Sequence, residues 1–233
     1  MTRPATVAVV PAYDAAASIE AVVRRTLPVL SPVLVVDDGS RDDTAARAAA
    51  AGAEVVRHAV NQGKGAALVT ALHHLAARGV DRAVTLDADG QHLPGQIPLL
   101  LVAADETPGA IVVGVRRKEG FAIKRAARFG NWVADRLLRV IAGRPLPDTQ
   151  SGFRVYPVAA TLALGTRGTR FDFETEVLLR AARAGMAVRG VPVEVYYPPI
   201  AERVSHYRPW ADTLRIVRTV GRVMASGRSA GGR

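Results

Sequence analysis

Asp87 and Asp89, separated by a single alanine, directly follow a short apolar run at residues 83–86. That spacing sends both carboxylates roughly to one side of the chain, where two such charges repel unless a cation lies between them. Carboxylate oxygen favours Mg²⁺ or Mn²⁺, ions that bind through one or two carboxylates and share the phosphates of a substrate. Gln91 is near enough in sequence to add a neutral oxygen. A solvated turn would use Asp, Gly and Gln in the same way, so a second pair matters. Asp37 and Asp38, in Asp-Asp-Gly-Ser, close another apolar run at residues 33–36. Two strands that deliver acids to one sheet edge suggest a site for a polar ligand. Asn-Gln-Gly-Lys-Gly at 61–65 precedes a helical segment and reads as a phosphate-cradling loop, with Lys64 as point charge beside the helix N-terminus. A plain turn fits that segment equally, because the full Walker spacing and its Ser or Thr are missing.

Cationic residues gather further along the chain. Arg116 follows an apolar run that ends at residue 114, and Arg125 and Arg128 lie one helical turn apart within a basic amphipathic segment at 124–142. Together they could grip a phosphate, although solvated arginines on an exposed helix face have the same pattern. Asp148 opens Asp-Thr-Gln-Ser-Gly-Phe-Arg, a turn-forming loop in which Gln150 and Arg154 suit structural roles. Glu176 in Phe-Asp-Phe-Glu-Thr-Glu is either an active acid or a carboxylate favoured by the helix dipole. Arg203 and His206 lie in Arg-Val-Ser-His-Tyr-Arg-Pro-Trp.

The elements that must position these groups are legible as an alternation. Val-rich runs at 7–10 and 33–36 lack polar alternation, as strands buried on both faces of a parallel sheet do. Between them, residues 16–30 carry Ile19, Val22, Val23 and Leu27 at helical spacing. Helices are expected at 43–51, 65–78 and 173–184, and strands at 54–57, 83–86, 110–113 and 191–196. Strands alternating with helices define an α/β fold, a doubly wound and mostly parallel sheet, whose ligands sit beyond the strands' carboxyl ends. The expected division is one domain over 1–210, in two halves at 6–115 and 116–210. An amphipathic basic helix and disordered tail follow at 211–233.

Composition narrows the chemistry. Of 233 residues 49% are hydrophobic, enough for a large core, so a wholly disordered chain is excluded. Thirty-one Lys and Arg against 21 Asp and Glu give +10, which favours a polyanionic partner or substrate. With no cysteine there is no disulfide framework, thiolate metal site or cysteine nucleophile. No secretory signal is visible, and every apolar run falls short of the ~18–20 residues of a membrane span.

Five blocks stand in a fixed order: Val-Val-Pro-Ala-Tyr-Asp at 9–14, Val-Val-Asp-Asp-Gly-Ser at 35–40, Asn-Gln-Gly-Lys-Gly at 61–65, Asp-Ala-Asp-Gly-Gln at 87–91 and Asp-Thr-Gln-Ser-Gly-Phe-Arg at 148–154. Together they resemble the family 2 glycosyltransferases, and within these the dolichyl- or polyprenyl-phosphate sugar synthases, across residues 6–210. That resemblance implies a GT-A type fold, a nucleotide-sugar donor, a Mg²⁺ or Mn²⁺ cofactor and inversion at the sugar carbon. By position, Pro11, Tyr13 and Asp38 would hold base and ribose with Asp37 in support, and Ala12, Asp14, Lys64 and Ala88 complete the donor pocket. Asp87, Asp89 and Gln91 would take the metal, and Arg203 and His206 would close over the diphosphate. Arg116, Arg125 and Arg128 would bind acceptor phosphate, while Asp89, Asp148, Arg116 and Arg128 serve the transfer itself. One departure is the Asn-Glu pair usual after the first block, which here reads Asp14-Ala15.

The resemblance sets the expected reaction: a hexose passes from UDP-glucose, or next GDP-mannose, to a polyprenyl or dolichyl phosphate. It places the enzyme peripherally on the cytoplasmic face of a membrane. A lipid phosphate is largely ionised at pH 7 and needs no strong general base. The expected partners are the donor, the lipid acceptor, an anionic membrane surface and an integral-membrane protein, with no nucleic acid. Two alternatives stand beside this. One keeps the donor but uses a sugar, protein or small-molecule hydroxyl as acceptor, which makes a positioned Asp or Glu essential. The other is a non-catalytic module that binds anionic lipid or nucleic acid.

Overall fold

The computed structural model describes residues 4–116, 146–196 and 209–226. Along the chain run β1 (Thr6–Ala12), α1 (Ile19–Thr26), β2 (Val33–Asp37), α2 (Thr44–Ala50), β3 (Glu54–Arg57), α3 (Lys64–Ala77) and β4 (Arg82–Thr85). A short 3₁₀ turn (Pro94–Gln96) leads into α4 (Ile97–Glu106), then β5 (Ile111–Arg116), β6 (Arg154–Pro157), α5 (Val158–Ala163), α6 (Asp172–Arg183), β7 (Val188–Val193) and α7 (Pro209–Ser226). The strands form one sheet in the order β3-β2-β1-β4-β6-β5-β7. Strand β6 runs antiparallel to both β4 and β5, and the other pairings in the sheet are parallel.

The continuous valine runs follow from burial on both faces. In β1, Ala8 and Val10 point to a core completed by α1, α2 and α4 through residues such as Ile19, Val23, Ala48 and Leu100. Val7 and Val9 point the other way, onto Leu68, Leu72 and Leu75 of α3 and Phe173 and Val177 of α6. Helix α7 packs on α6, with Val220 and Val223 buried against Leu179, and Thr219 Oγ1 donating to Asp172 Oδ2 at 3.0 Å. Val217 and Met224 of α7 stay exposed. No helix among the described residues is long and apolar enough to cross a membrane.

The expected α/β sheet is the observed one, with local differences. Helix α1 begins at Ile19 rather than residue 16 because the preceding amides are already used: Asp14 N–H donates to Ser40 Oγ, Ala15 N–H to Thr44 Oγ1 and Ala16 N–H to Asp42 Oδ2. The last strand lies at Val188–Val193, about three residues earlier than expected, in register with β5, so Val188 meets Ile111. As an edge strand it accommodates Pro192, which has no N–H to donate. Residues 154–157 form β6, a strand that their sequence does not announce. The expected helix at 124–142 lies outside the described residues.

Parallel strands β1, β2, β4 and β5 all end at one edge, and antiparallel β6 starts there. Residues 13–14, 38, 87–91, 116 and 148–153 are therefore drawn to that edge by topology alone. Gly39, just past β2, shows how tightly the loops meet there. Its φ is +73°, and a Cβ on it would lie 2.5 Å from the Val60 carbonyl carbon and 2.7 Å from Asn61 N. Replacing Gly39 with alanine combines left-handed backbone strain with a backbone clash. Urea titration is expected to show a loss of about 2 kcal/mol for Gly39→Ala, whereas the same change at open Gly95 costs under about 0.5 kcal/mol.

Candidate active site

Asp87 emerges from the end of β4 into a set of opposed charges. Its Oδ1 lies 2.5 Å from Lys64 Nζ, and Lys64 reaches Glu174 Oε1 at 2.8 Å as well. The helix that carries Lys64 starts at Gly63, whose φ of +104° and closeness to Thr169 O exclude a side chain. Burial alone would raise the Asp87 carboxyl, but the Lys64 ammonium, aided by His92 and Arg116, brings it down to about 2. Burial likewise opposes the charge on Lys64, yet Asp87 and Glu174 raise it well above the ordinary lysine value. This ammonium stays charged.

His92 supports the same turn from below. The Asp87 N–H donates to His92 Nδ1 at 3.0 Å, which leaves the neutral ring's proton on Nε2, and the ring stacks on Phe153 with centroids 5.2 Å apart. Burial first of all keeps its pKa below the usual histidine value. Ser18 Oγ donates to Ala88 O at 2.6 Å, and Asp89 Oδ1 accepts the Gln91 N–H at 3.0 Å. The 87–91 turn is therefore held on three sides. Asp89 is exposed, and its carboxyl is raised by local loss of water and then by the charge of Asp87.

The acids after β2 perform a different task from those after β4. Asp38 is buried and accepts three bonds from one loop: His58 Nδ1 lies 2.7 Å from Oδ1, Gln62 N–H donates to Oδ1 at 2.9 Å and Gly63 N–H to Oδ2 at 2.7 Å. It fixes the approach to Lys64. Asp37, fully buried, accepts the Ser40 N–H through Oδ1, while its Oδ2 lies 3.0 Å from Arg57 Nε as an ion pair without hydrogen-bond alignment. Asp14 adopts φ +46° and accepts the Arg41 N–H at 2.8 Å, which joins the first block to the second. Pro11 and Ala12 are buried at the end of β1, and Tyr13 is half-buried beside them.

On the far side of Asp87, Arg116 and Asp148 hold each other in a two-pronged pair, Nε to Oδ2 at 2.7 Å and Nη2 to Oδ1 at 2.9 Å. Burial would raise the Asp148 carboxyl, but this guanidinium keeps it below the usual carboxylate range. The loop that follows is built around Arg154, which is fully buried. Its guanidinium donates to Thr149 O, Ser151 O, Glu174 O and the Tyr156 hydroxyl. Thr85 Oγ1 adds a 2.6 Å bond to Gly152 O. Gly152 lies so close to Asp87 that a Cβ there would be 2.5 Å from Oδ1 and 2.7 Å from Oδ2.

Asp87, Asp89, Lys64, Arg116 and Asp148, each singled out by sequence, thus share one sheet edge. Sequence reasoning missed Glu174 and His92. Glu174 is recognisable only through Lys64, 110 positions earlier, and nothing local separates it from Glu176. Glu176 is a structural acid: it accepts the N–H groups of Arg167 and Gly168 and pairs with Arg180 at 2.6 Å. Arg125, Arg128, Arg203 and His206 lie outside the described residues.

The donor set fits a hard divalent cation. Asp87 and Asp89 offer carboxylate oxygens whose mutual repulsion a cation would relieve. Here three carboxylates, Asp87, Glu174 and Asp148, share two ion-paired cations, Lys64 and Arg116, with the Asp89 carboxylate beside them. No cluster of three or more His, Cys, Asp or Glu stands ready to enclose an ion among the described residues. An ion here must complete its shell from other oxygens, as one shared with a diphosphate does.

Acidic turns at the carboxyl edge of this sheet define a glycosyltransferase of the GT-A fold. Residues 7–165 match Glycosyl transferase family 2, and the chain belongs to that family. An uncharacterized glycosyltransferase of Mycobacterium tuberculosis is 36% identical over 201 residues, 85% of this chain and 88% of that protein. The undecaprenyl-phosphate mannosyltransferase of Micrococcus luteus is 29% identical over 198 residues, 79% of this chain and 81% of that one. Among solved structures, glucosyl-3-phosphoglycerate synthase from Mycobacterium tuberculosis, in complex with Mn²⁺, UDP-glucose and phosphoglyceric acid, superposes with a TM-score of 0.75 at 25% identity. That match covers 95% of this chain and 80% of that one.

The structural likeness to glucosyl-3-phosphoglycerate synthase corrects the expected kinship with dolichyl- and polyprenyl-phosphate sugar synthases. It also corrects the partners drawn from that kinship: the lipid-phosphate acceptor, the anionic membrane surface and the integral-membrane protein. The structural match runs through both halves of the chain and leads to an enzyme crystallised with a small phosphorylated acid. The physical reason is that four of the five sequence blocks are ones the resemblance assigns to the donor and metal side, so they carry little information about the acceptor.

Two outcomes test the geometry. Gly152→Ala is expected to push the Asp87 carboxylate away from Lys64 and lower turnover about tenfold or more, with stability reduced far less, as steady-state kinetics and urea unfolding would show. For Asp148 the depressed folded pKa means that its pairing stabilises the fold above the unfolded carboxyl value and is lost as pH falls through the folded one. Asp148→Asn should therefore cost about 1–3 kcal/mol at pH 7, a difference from the parent that shrinks on acidification toward pH 2 in urea titrations.

Proposed function

We propose that this protein transfers glucose, or a closely related hexose, from a UDP-linked donor to a hydroxyl of a small phosphorylated acid, with Mg²⁺ or Mn²⁺ as cofactor. The observation that carries the reading is the Asp87 carboxylate, fixed at the β4 terminus between Lys64 and the backbone of Gly152, with Asp89 two residues on. The likeness to a synthase crystallised with Mn²⁺, UDP-glucose and phosphoglyceric acid supports both the donor and the acceptor.

In this reading the bond from the sugar carbon to the diphosphate oxygen breaks, a bond to the acceptor oxygen forms, and the hydroxyl proton passes to solvent water. When bound, the divalent ion neutralises charge on the departing diphosphate. Asp87 and Asp89 hold it, with Gln91 close by. Lys64, charged at the start of α3, faces the same phosphates. Pro11, Ala12, Tyr13 and Asp14 form the nucleoside side, ordered by Asp37 and Asp38 beneath. Asp148, ionised and aimed by Arg116, orients the acceptor hydroxyl. The basic character of the chain suits an anionic acceptor.

The test offers UDP-[¹⁴C]glucose with 3-phosphoglycerate, unphosphorylated glycerate or a short polyprenyl phosphate, each with Mn²⁺ or with chelator. Label is expected in the anionic, water-soluble product of 3-phosphoglycerate, only when metal is present. Label that moves into the organic phase with polyprenyl phosphate, and none with the acids, would overturn the proposal.

A further inference from the structure

The geometry points to Lys64 as a resident counter-cation that yields Asp87 to the incoming divalent ion, and to Glu174 as the positioning residue that keeps the displaced ammonium in the site. This rests on the metal-dependent reading above. Lys64 is the sole lysine or arginine ion-paired with Asp87 among the described residues, and it is shared between two carboxylates 87 positions apart in the chain. An ammonium has three donors, so it can serve both acids at once and can leave one without losing the other.

The surroundings decide which partner moves. Asp87 cannot swing far: Gly152 presses against both its oxygens, and its own N–H is fixed on His92. Glu174 is equally fixed, buried in the first turn of α6, where the Glu174 carbonyl accepts from Arg154 Nη1 at 2.8 Å. Lys64 is the flexible member, a four-carbon stem with its ammonium 5.8 Å from the centre of the Phe171 ring. Without the ion, Lys64 relieves the repulsion at Asp87. As Asp87 turns to the ion, Lys64 remains on Glu174, close enough to meet the donor's phosphates. Glu174 thereby sets how readily Asp87 is released, and so the metal affinity of the donor-free protein.

The experiment measures Mn²⁺ binding to the donor-free protein by the electron paramagnetic resonance signal of the free ion. It compares the parent, K64M, E174Q and the double variant, with K64Q as a second probe should K64M fold poorly. Loss of the competing ammonium should tighten Mn²⁺ binding about tenfold in K64M. E174Q should weaken binding about threefold or more, because Lys64 then has Asp87 alone as its ion-paired partner among the described residues. In the K64M background, E174Q should change affinity by less than about twofold, since its effect passes through the lysine. Unchanged or weaker binding by K64M and K64Q would overturn the inference. So would an E174Q effect of the same size in both backgrounds, which is the signature of a mere field effect. If the parent binds no Mn²⁺ even with UDP-glucose present, the functional proposal itself fails. If it binds Mn²⁺ with UDP-glucose while the variant series stays flat, only the exchange fails.

Discussion

Everything at the site depends on keeping an ionised carboxylate half-buried at the end of a central strand. Burial alone would raise the Asp87 carboxyl and so oppose its charge. A single lysine reverses the outcome, and the fold commits three separate elements to holding that lysine in reach. Helix α3 supplies it, the 58–63 loop bonded to Asp38 sets where α3 begins, and α6 supplies the second acid that shares its charge. Breaking any of these leaves a buried charge without compensation, which is more costly than never having assembled the pair.

The second constraint is steric, and it arises from one reversed strand. Because β6 runs antiparallel between β4 and β5, the loop before it must cross the carboxyl edge of the sheet directly above Asp87. That loop brings Asp148 to Arg116 and places Gly152 on the carboxylate. Arg154, the first residue of the reversed strand, then ties the loop to α6 through main-chain carbonyls alone, so the loop that carries Asp148 and the turn that carries Glu174 share one anchor. A guanidinium with five N–H donors suits this task where a lysine would not. Charge and chain direction thus converge on the same few ångströms.

Much of this was legible in the sequence, for a physical reason. Strands covered on both faces need mostly apolar residues, so β1 and β2 announce themselves as valine runs and β4 as a short apolar run, and the acids at their ends stand out by contrast. Asp87, Asp89, Lys64, Asp148 and Arg116 could all be nominated in this way. The strand at 154–157 could not, because four residues that open on a buried arginine carry no periodicity. Helix α4 has apolar residues on nearly every face, including exposed Leu99 and Val102, so its helical pattern is blurred. Glu174 and His92 stayed hidden because their significance lies wholly in contacts that chain folding creates: one with Lys64, the other with the Asp87 amide and the ring of Phe153.

The acceptor was the part that local sequence could not specify. Donor recognition repeats the same demands in any enzyme of this kind: a cation, a diphosphate and a nucleoside impose fixed chemistry on β1, β2 and β4. Acceptor recognition imposes no common chemistry, and in the proposed reading it falls to the half of the chain after Arg116. The described residues there show a carboxylate locked to an arginine, an arrangement suited to orienting a hydroxyl. In the proposed reading, Asp148 held by Arg116 orients the acceptor hydroxyl, which agrees with the likeness to an enzyme crystallised with phosphoglyceric acid.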